Sequence, residues 1–334
     1  MAYDGKIMRL ALQEFEKDKN TREAELRDRR ERIFQRQPRL RQIEGELHST
    51  MSRIISGALR RGTDPRPAIA ALREENLSLQ AEKRELLGRM GLPEDCLEEA
   101  PACPLCGDTG YRGGQVCRCL RRYYARQQQK ELSRMLDLGS QSFDTFDLDW
   151  YSDQLLPGQS KSEREQMEGK VYETCVAFAH QFGRRAENLL LFGAPGLGKT
   201  HLSAAIARDV SDKGFSVVYD TASHVFERFE TQKFGREDQE TAADVDRVLN
   251  CDLLILDDLG TEMTTAFVQS ALYQIINTRL MEKRSTIIST NLSPEKLAQR
   301  YTPQIASRIE GEYQLLAFVG EDIRKQKKRR EQSR

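Results

Sequence analysis

No run of about eighteen consecutive apolar residues occurs in this chain, which excludes a membrane-crossing helix of ordinary length. The N-terminus, Met1-Ala2-Tyr3-Asp4-Gly5-Lys6, lacks the apolar stretch of a signal peptide, so a cytoplasmic location is expected. Net charge is also absent, with 52 Lys and Arg against 52 Asp and Glu. No global field then draws nucleic acid or an acidic surface, and any electrostatic partner must meet a local patch. The seven cysteines are an odd number with four clustered, which fits reduced thiols and a metal site better than a disulfide framework.

What is present is charge and length. The 334 residues give room for two domains, and the charged fraction of 31% concentrates in the first ninety residues and at the C-terminal end. Residues 1 to about 60 read as long charged helix with a break at Pro38. Beyond it Leu40, Ile43, Leu47, Met51, Ile54 and Ala58 recur at steps of three and four, an apolar seam on one helix face. Arg61-Gly62-Thr63-Asp64-Pro65-Arg66-Pro67 interrupts it, and a second helix sets Ile69, Leu72, Asn76, Leu79, Lys83, Leu86 and Met90 on its own seam. Two seamed helices can close on each other as an antiparallel hairpin or receive another protein's helices, and the pattern serves both. The arginines of Arg27-Asp28-Arg29-Arg30-Glu31-Arg32 are interleaved with acids, as on a solvated helix face.

Cys103-Pro104-Leu105-Cys106 and, after a ten-residue spacer, Cys117-Arg118-Cys119 form two short thiol pairs. Each pair holds two sulfurs near one point, the arrangement of a closed tetrahedral S₄ site for Zn²⁺, although the C-x-C pair is tighter than the usual knuckle. A closed site leaves no open position for chemistry, so its role would be folding or presentation. Cys96 is a substitute ligand by position, while Cys175 and Cys251 sit in apolar patterns and read as core. A helix over 121–140 leads to Phe143 and Phe146, which either line an adenine pocket or anchor a linker. Residues 152–169 read as a polar surface excursion, followed by a helix over about 167–183.

Gly193-Ala194-Pro195-Gly196-Leu197-Gly198-Lys199-Thr200 follows the apolar run Asn188-Leu189-Leu190-Leu191-Phe192 and precedes a helical pattern from His201. The spacing G-x-x-x-x-G-K-T between a buried strand and a helix N-terminus is a phosphate-binding loop, in which backbone N–H groups turn inward. Lys199 is expected to reach the β- and γ-phosphates, and the Thr200 hydroxyl to join the coordination of Mg²⁺. Strand and helix then alternate as far as Cys251-Asp252-Leu253-Leu254-Ile255-Leu256-Asp257-Asp258, a buried parallel strand delivering two acids at its carboxyl end. Asp257 would hold Mg²⁺ through water, and Asp258 would orient or deprotonate the attacking water. The strand Ser285–Thr290 ends at Asn291, whose amide can reach the γ-phosphate or the attacking water. Phe226, Phe229, Lys233, Phe234 and Arg236 mix aromatic and basic residues; they can stack on single-stranded bases or, for the phenylalanines at helical spacing, fill the core. The run Lys325-Gln326-Lys327-Lys328-Arg329-Arg330 is a phosphate-attracting tail or a solvated terminus.

Taken together, Gly193–Thr200, Leu253–Asp258, Ser289-Thr290-Asn291 and Ser307-Arg308-Ile309 resemble an AAA+ ATPase, specifically the DnaC/DnaI-type bacterial replicative helicase loaders and the related IstB-type transposition helpers, over roughly 140–325. The resemblance implies an α/β fold: an AAA+ P-loop parallel sheet flanked by helices, preceded by an α-helical region with a small zinc knuckle. It implies Walker A at Gly193–Thr200, Walker B at Asp257 and Asp258, sensor 1 at Asn291, an arginine finger at Arg308 acting on a neighbouring subunit's ATP, and a second sensor at Arg324. Asp-Asp departs from the Asp-Glu of many AAA+ proteins, and the shorter acid suits a slow switch better than a motor. The expected division is a helical partner-binding region over 1–95, a four-cysteine zinc knuckle with linker helix over 96–140, the ATPase domain over 141–325 and a basic tail over 326–334. The function implied is ATP-dependent loading of a replicative helicase onto single-stranded DNA by an oligomer using ATP, Mg²⁺ and Zn²⁺. The alternatives are an IstB-type helper that binds duplex DNA and recruits a transposase, and an adaptor whose nucleotide site only stabilises the fold.

Overall fold

The computed structural model describes residues 3–58, 66–98, 100–136, 141–155, 161–184, 187–235 and 239–332, with side chains left out at 50–58, 66–69, 133–136 and 239–241. The chain divides into two compact units, one of residues 13–117 and one of residues 1–12 with 118–334.

The smaller unit contains most of α1 (Gly5–Arg36), then α2 (Pro38–Ala58) and α3 (Arg66–Arg89). Pro38 opens α2 at its first position, where a missing N–H costs nothing, and so makes the break between the first two helices. Arg39 forks onto Glu82 with contacts of 2.8 and 2.9 Å, and Lys83 pairs with Glu44 at 2.9 Å, so α2 and α3 close on each other. Leu40, Ile43 and Leu79 are buried as the seams require. On α3 the fully buried residue is Leu87, one position past the expected Leu86, which packs at the margin of the same cluster. Met51, Ile54, Ala58 and Ile69 lie outside the described side chains. Cys96 is buried with Ile33, Leu40, Leu87 and Leu97, which corrects its reading as a metal ligand.

Cys103, Cys106 and Cys117, three of the four clustered cysteines, lie at the end of this unit. Strands β1 (Tyr111–Arg112) and β2 (Gln115–Val116) pair antiparallel across Gly113-Gly114, both at positive φ, the two-residue turn that returns Cys117 toward Cys103. Asp108 fixes the first half by accepting the N–H groups of Ala102 and Cys103 at 2.9 and 2.8 Å and an Arg22 contact at 3.1 Å.

The larger unit opens with α4 (Arg118–Leu136). Helix α5 (Glu163–Gln166), a π-turn over Met167–Tyr172 and α6 (Glu173–Gln181) then run continuously. The second half of the expected excursion is therefore helical. Ser162 and Glu165 cap it reciprocally, at 3.1 and 2.9 Å, a start signal that the surrounding polarity concealed. The alternation follows: β3 (Leu189–Phe192), α7 (Lys199–Asp212), β4 (Val217–Thr221), α8 (Ala222–Phe234), α9 (Gln239–Asn250), β5 (Leu253–Leu259), α10 (Ala266–Met281), β6 (Ser285–Thr290), α11 (Pro294–Arg300), α12 (Pro303–Glu312), β7 (Gln314–Ala317) and α13 (Ile323–Gln332).

The five long strands form one parallel sheet in the order β4-β5-β6-β3-β7. Leu253–Leu256 are buried completely, as a strand covered by helices on both faces must be. At the β4 edge, Gln128 of α4 satisfies open backbone: Oε1 accepts from Val217 N at 3.0 Å, and Nε2 donates to Phe215 O at 2.7 Å. Phe226 and Phe229 are core, whereas Phe234 is 68% exposed and Arg236 lies outside the described residues. Cys175 and Cys251 are buried. No described helix is long and apolar enough to cross a membrane.

Candidate nucleotide site and cysteine cluster

Strand β3 delivers the loop Gly193–Thr200 at its carboxyl end, and Gly198, left-handed at φ 86°, starts α7. A Cβ on Gly198 would fall 2.8 Å from the Phe146 ring, and one on Gly196 would fall 2.0 Å from Asp322 Oδ1, so both positions exclude a side chain. The loop is held from outside by Tyr151, whose hydroxyl donates to Leu197 O at 2.9 Å, and by Ile323, whose N–H donates to Gly196 O at 3.0 Å. Phe146 stacks on Tyr151 and Tyr172, and Phe143 meets Tyr172 edge-on, so the two phenylalanines pack beside the phosphate loop. Ala194 and Pro195 are exposed at the loop's tip.

Lys199 is buried, and its ammonium donates to Gly193 O, Ala194 O and Asn291 Oδ1, each at 2.8 Å. Burial lowers its pKa, while the charges of Asp258 and Asp257 act in the opposite sense. The loop lysine and the residue that follows β6, 92 positions apart in sequence, therefore meet. Thr200 Oγ1 lies 3.2 Å from Asp257 Oδ2, an oxygen pair at a helix start that suits a hard cation retaining its waters.

Asp257 is buried and heavily bonded. Tyr219 donates to its Oδ2 at 2.7 Å, Ser289 donates to Oδ1, and the Asp258 N–H reaches Oδ1 at 3.2 Å. Residue spacing marks neither Tyr219 nor the Ser289 hydroxyl as part of the site. Their only signal was a polar group near the end of each neighbouring strand. Burial, then the Asp257 carboxylate, pushes the Tyr219 phenol well above its ordinary pKa and keeps it a donor. Asp258 is exposed, at φ 55°, within a register shift of β5 between Leu256 and Leu259. Alternation along a regular strand would send adjacent acids to opposite faces; the register shift interrupts it here, and the charges of both acids act on Lys199. Partial desolvation, then Asp257, raises the Asp258 pKa.

Arg324 is exposed, yet its charge acts on Lys199 and Asp258. Arg308 is held elsewhere. Its Nη2 donates to Asn277 Oδ1 at 2.9 Å and to the Tyr273 hydroxyl at 3.2 Å, and its guanidinium lies 4.8 Å from the Tyr273 ring centroid. It is thus on the face of α10 and α12, half-buried and absent from the groups that bear on Lys199.

The sulfurs of Cys103, Cys106, Cys117 and Cys119 lie within 4.8 Å of one another, with Cys103 and Cys117 3.8 Å apart. Zinc–sulfur bonds of about 2.3 Å in a tetrahedron put the sulfurs about 3.8 Å apart, so the donor set fits Zn²⁺. Four thiolates there would fill the coordination sphere of such an ion.

A five-stranded parallel sheet with a P-loop on β3, an amide just past the end of the adjoining β6 and paired acids on β5 beyond it defines a P-loop ATPase of the AAA+ type. Residues 170–331 match the IstB-like ATP binding protein family. Over 121 residues the chain is 31% identical to the replicative helicase loader DnaI of Bacillus subtilis, spanning 35% of this chain and 37% of that one. It is 28% identical to the replicative helicase loader DnaC of a Buchnera aphidicola strain, over 37% of this chain and 50% of the relative. It is 30% identical to a putative insertion sequence ATP-binding protein of Sinorhizobium fredii, over 37% of this chain and 41% of the relative. The chain thus matches half or less of the length of each of these relatives.

Proposed function

We propose that this protein is an ATP-dependent loader of a replicative DNA helicase, in which nucleotide binding and hydrolysis act as a switch. The observation that carries the reading is the combination of a P-loop, paired acids and an amide at one nucleotide site with an N-terminal helical region followed by a four-cysteine cluster. The similarity to DnaI and DnaC supports it. Lys199 would hold the β- and γ-phosphates, and Thr200 and Asp257 would hold Mg²⁺, which neutralises phosphate charge. Asp258 would orient the attacking water, and Asn291 would exchange its bond to Lys199 for one to the γ-phosphate. Arg308 would complete the site of a neighbouring subunit, a role supported by its separation from the charges around its own Lys199. Arg324 would bind the nucleotide from the start of α13. The helices of residues 1–95 would grip the helicase while single-stranded DNA is engaged, in the cytoplasm.

A second reading is a transposition helper on duplex DNA, favoured by the family match and the Sinorhizobium relative. Capture of full-length tagged protein from its native host, followed by mass spectrometry, separates the two: a replicative helicase retained supports the loader, and a transposase supports the helper.

Zinc in the knuckle has its own expected result. Protein purified without chelator should carry about one zinc per chain by elemental analysis, and chelation should unfold the knuckle, because a structural zinc site forms together with its fold. Protein containing no metal would end the assignment.

A further inference from the structure

Helix α13 carries six cations in ten residues, Arg324, Lys325, Lys327, Lys328, Arg329 and Arg330, against one acid, Glu331. All six are exposed, and Ile323 is the helix's only apolar residue. Crowding six like charges along about 15 Å of helix opposes its formation. Two contacts hold it nonetheless. Asp322 caps the start, its Oδ1 accepting the Arg324 N–H at 2.9 Å. Further along, Trp150, the chain's one tryptophan, receives the helix side-on. The Arg330 guanidinium lies 4.0 Å and the Lys327 ammonium 5.6 Å from its ring centroid, and Gln326 Nε2 donates to its carbonyl at 3.2 Å. Nearby acids are partly committed: Glu321 meets Arg329 at 3.4 Å, and Asp149 meets Arg164 at 2.9 Å. Among the described residues, Lys325 and Lys328 have no carboxylate within ion-pair distance.

We propose that α13, docked on Trp150, is a binding surface for the phosphodiester backbone of a nucleic acid. The proposal rests on the DNA-engaging reading given above and assigns it a surface. A rigid row of cations matches a regular row of phosphates: 15 Å of helix spans about four phosphates at 3.4 Å spacing along one strand. An anionic membrane is a poor fit, because a surface-lying helix needs an apolar face and α13 has only Ile323. The position also links the surface to the nucleotide site. Ile323 N–H is bonded to Gly196 O of the P-loop, and Arg324, one residue on, acts on Lys199 and Asp258. A backbone bound along α13 is therefore one helical turn from the phosphate loop.

The test compares the full-length protein with a variant combining Lys325→Gln, Lys327→Gln and Lys328→Gln, using oligo-dT and a duplex of equal length over a salt series. The expected result is at least a tenfold loss of affinity. The slope of log K against log salt should fall by about 2 for single-stranded DNA or about 2.7 for duplex. Which DNA shows the fall identifies the source of the phosphates. Trp150 emission should change on adding DNA to the wild-type protein and not in the variant, while DNA-free ATP hydrolysis and the melting temperature stay the same. Wild-type binding with an unchanged slope in the variant would overturn the surface and leave DNA engagement standing. Failure of the wild-type protein to bind either DNA would overturn both. A Trp150 response to anionic lipid vesicles and not to DNA would overturn the nucleic-acid assignment.

Discussion

Lys199→Ala should abolish ATP binding, with affinity lower by more than about a hundredfold in titration calorimetry. A charge-assisted hydrogen bond contributes about 1.5–3 kcal/mol, and the ammonium is placed to make two to the β- and γ-phosphates, so a loss of about 3 kcal/mol or more is expected. The groups that now occupy it, two loop carbonyls and Asn291, cannot substitute, because none is a cation. Arg308→Ala is the informative contrast. It should leave ATP affinity intact and remove DNA-stimulated turnover, since Arg308 is bound to Tyr273 and Asn277 away from its own P-loop. Equal affinity in wild type and Lys199→Ala, or unchanged turnover in Arg308→Ala, would sink the corresponding role.

Arg279→Met should lower stability by about 3–5 kcal/mol, much of the 5–15 kcal/mol typical of a folded domain. Arg279 is fully buried. Its guanidinium donates to Val248 O, Leu249 O, Cys251 O, Ser285 O and Thr286 Oγ1, at 2.6–3.2 Å. Two of these carbonyls belong to the last turn of α9, where a cation also meets the negative end of the helix dipole. The fork thus joins α9, the start of β5 and the start of β6, and so sets the register of the strand that carries Asp257. Removing it strands buried carbonyls at about 1–3 kcal/mol each. Arg279→Lys keeps the charge without the planar fork and should fall between the two. Denaturant melts of Arg279→Met within 1 kcal/mol of wild type would refute the role.

Arg279 also marks the limit of what could be read from the chain. One arginine in α10 looks in sequence like any surface arginine, because its carbonyl partners are brought to it by three other elements. Tyr219 and Ser289 were hidden for the same reason: their partner, Asp257, lies on the strand between theirs, and strand order is a long-range property. The bulge at Asp258 was equally silent, since alternation alone would have separated the two acids. By contrast, the P-loop was legible because one short segment encodes strand, glycines, lysine and helix start. The cysteine set was legible for a similar reason, with a Gly-Gly hairpin in its spacer. The Lys199–Asn291 contact lay between these cases: each residue stood at a strand end and the resemblance to AAA+ ATPases assigned both to the nucleotide, but their mutual bond was not legible. The helical seams gave the α2–α3 pair but slipped by one residue at Leu87, where packing overrode strict heptad spacing.

The most direct measurement of the loader account is capture of the full-length protein with the host's replicative helicase, with and without ATP. The expected result is a stable complex that changes its hold on the helicase with ATP in the wild type and no longer does so in Lys199→Ala. Retention of a transposase with no helicase in either nucleotide state would contradict it.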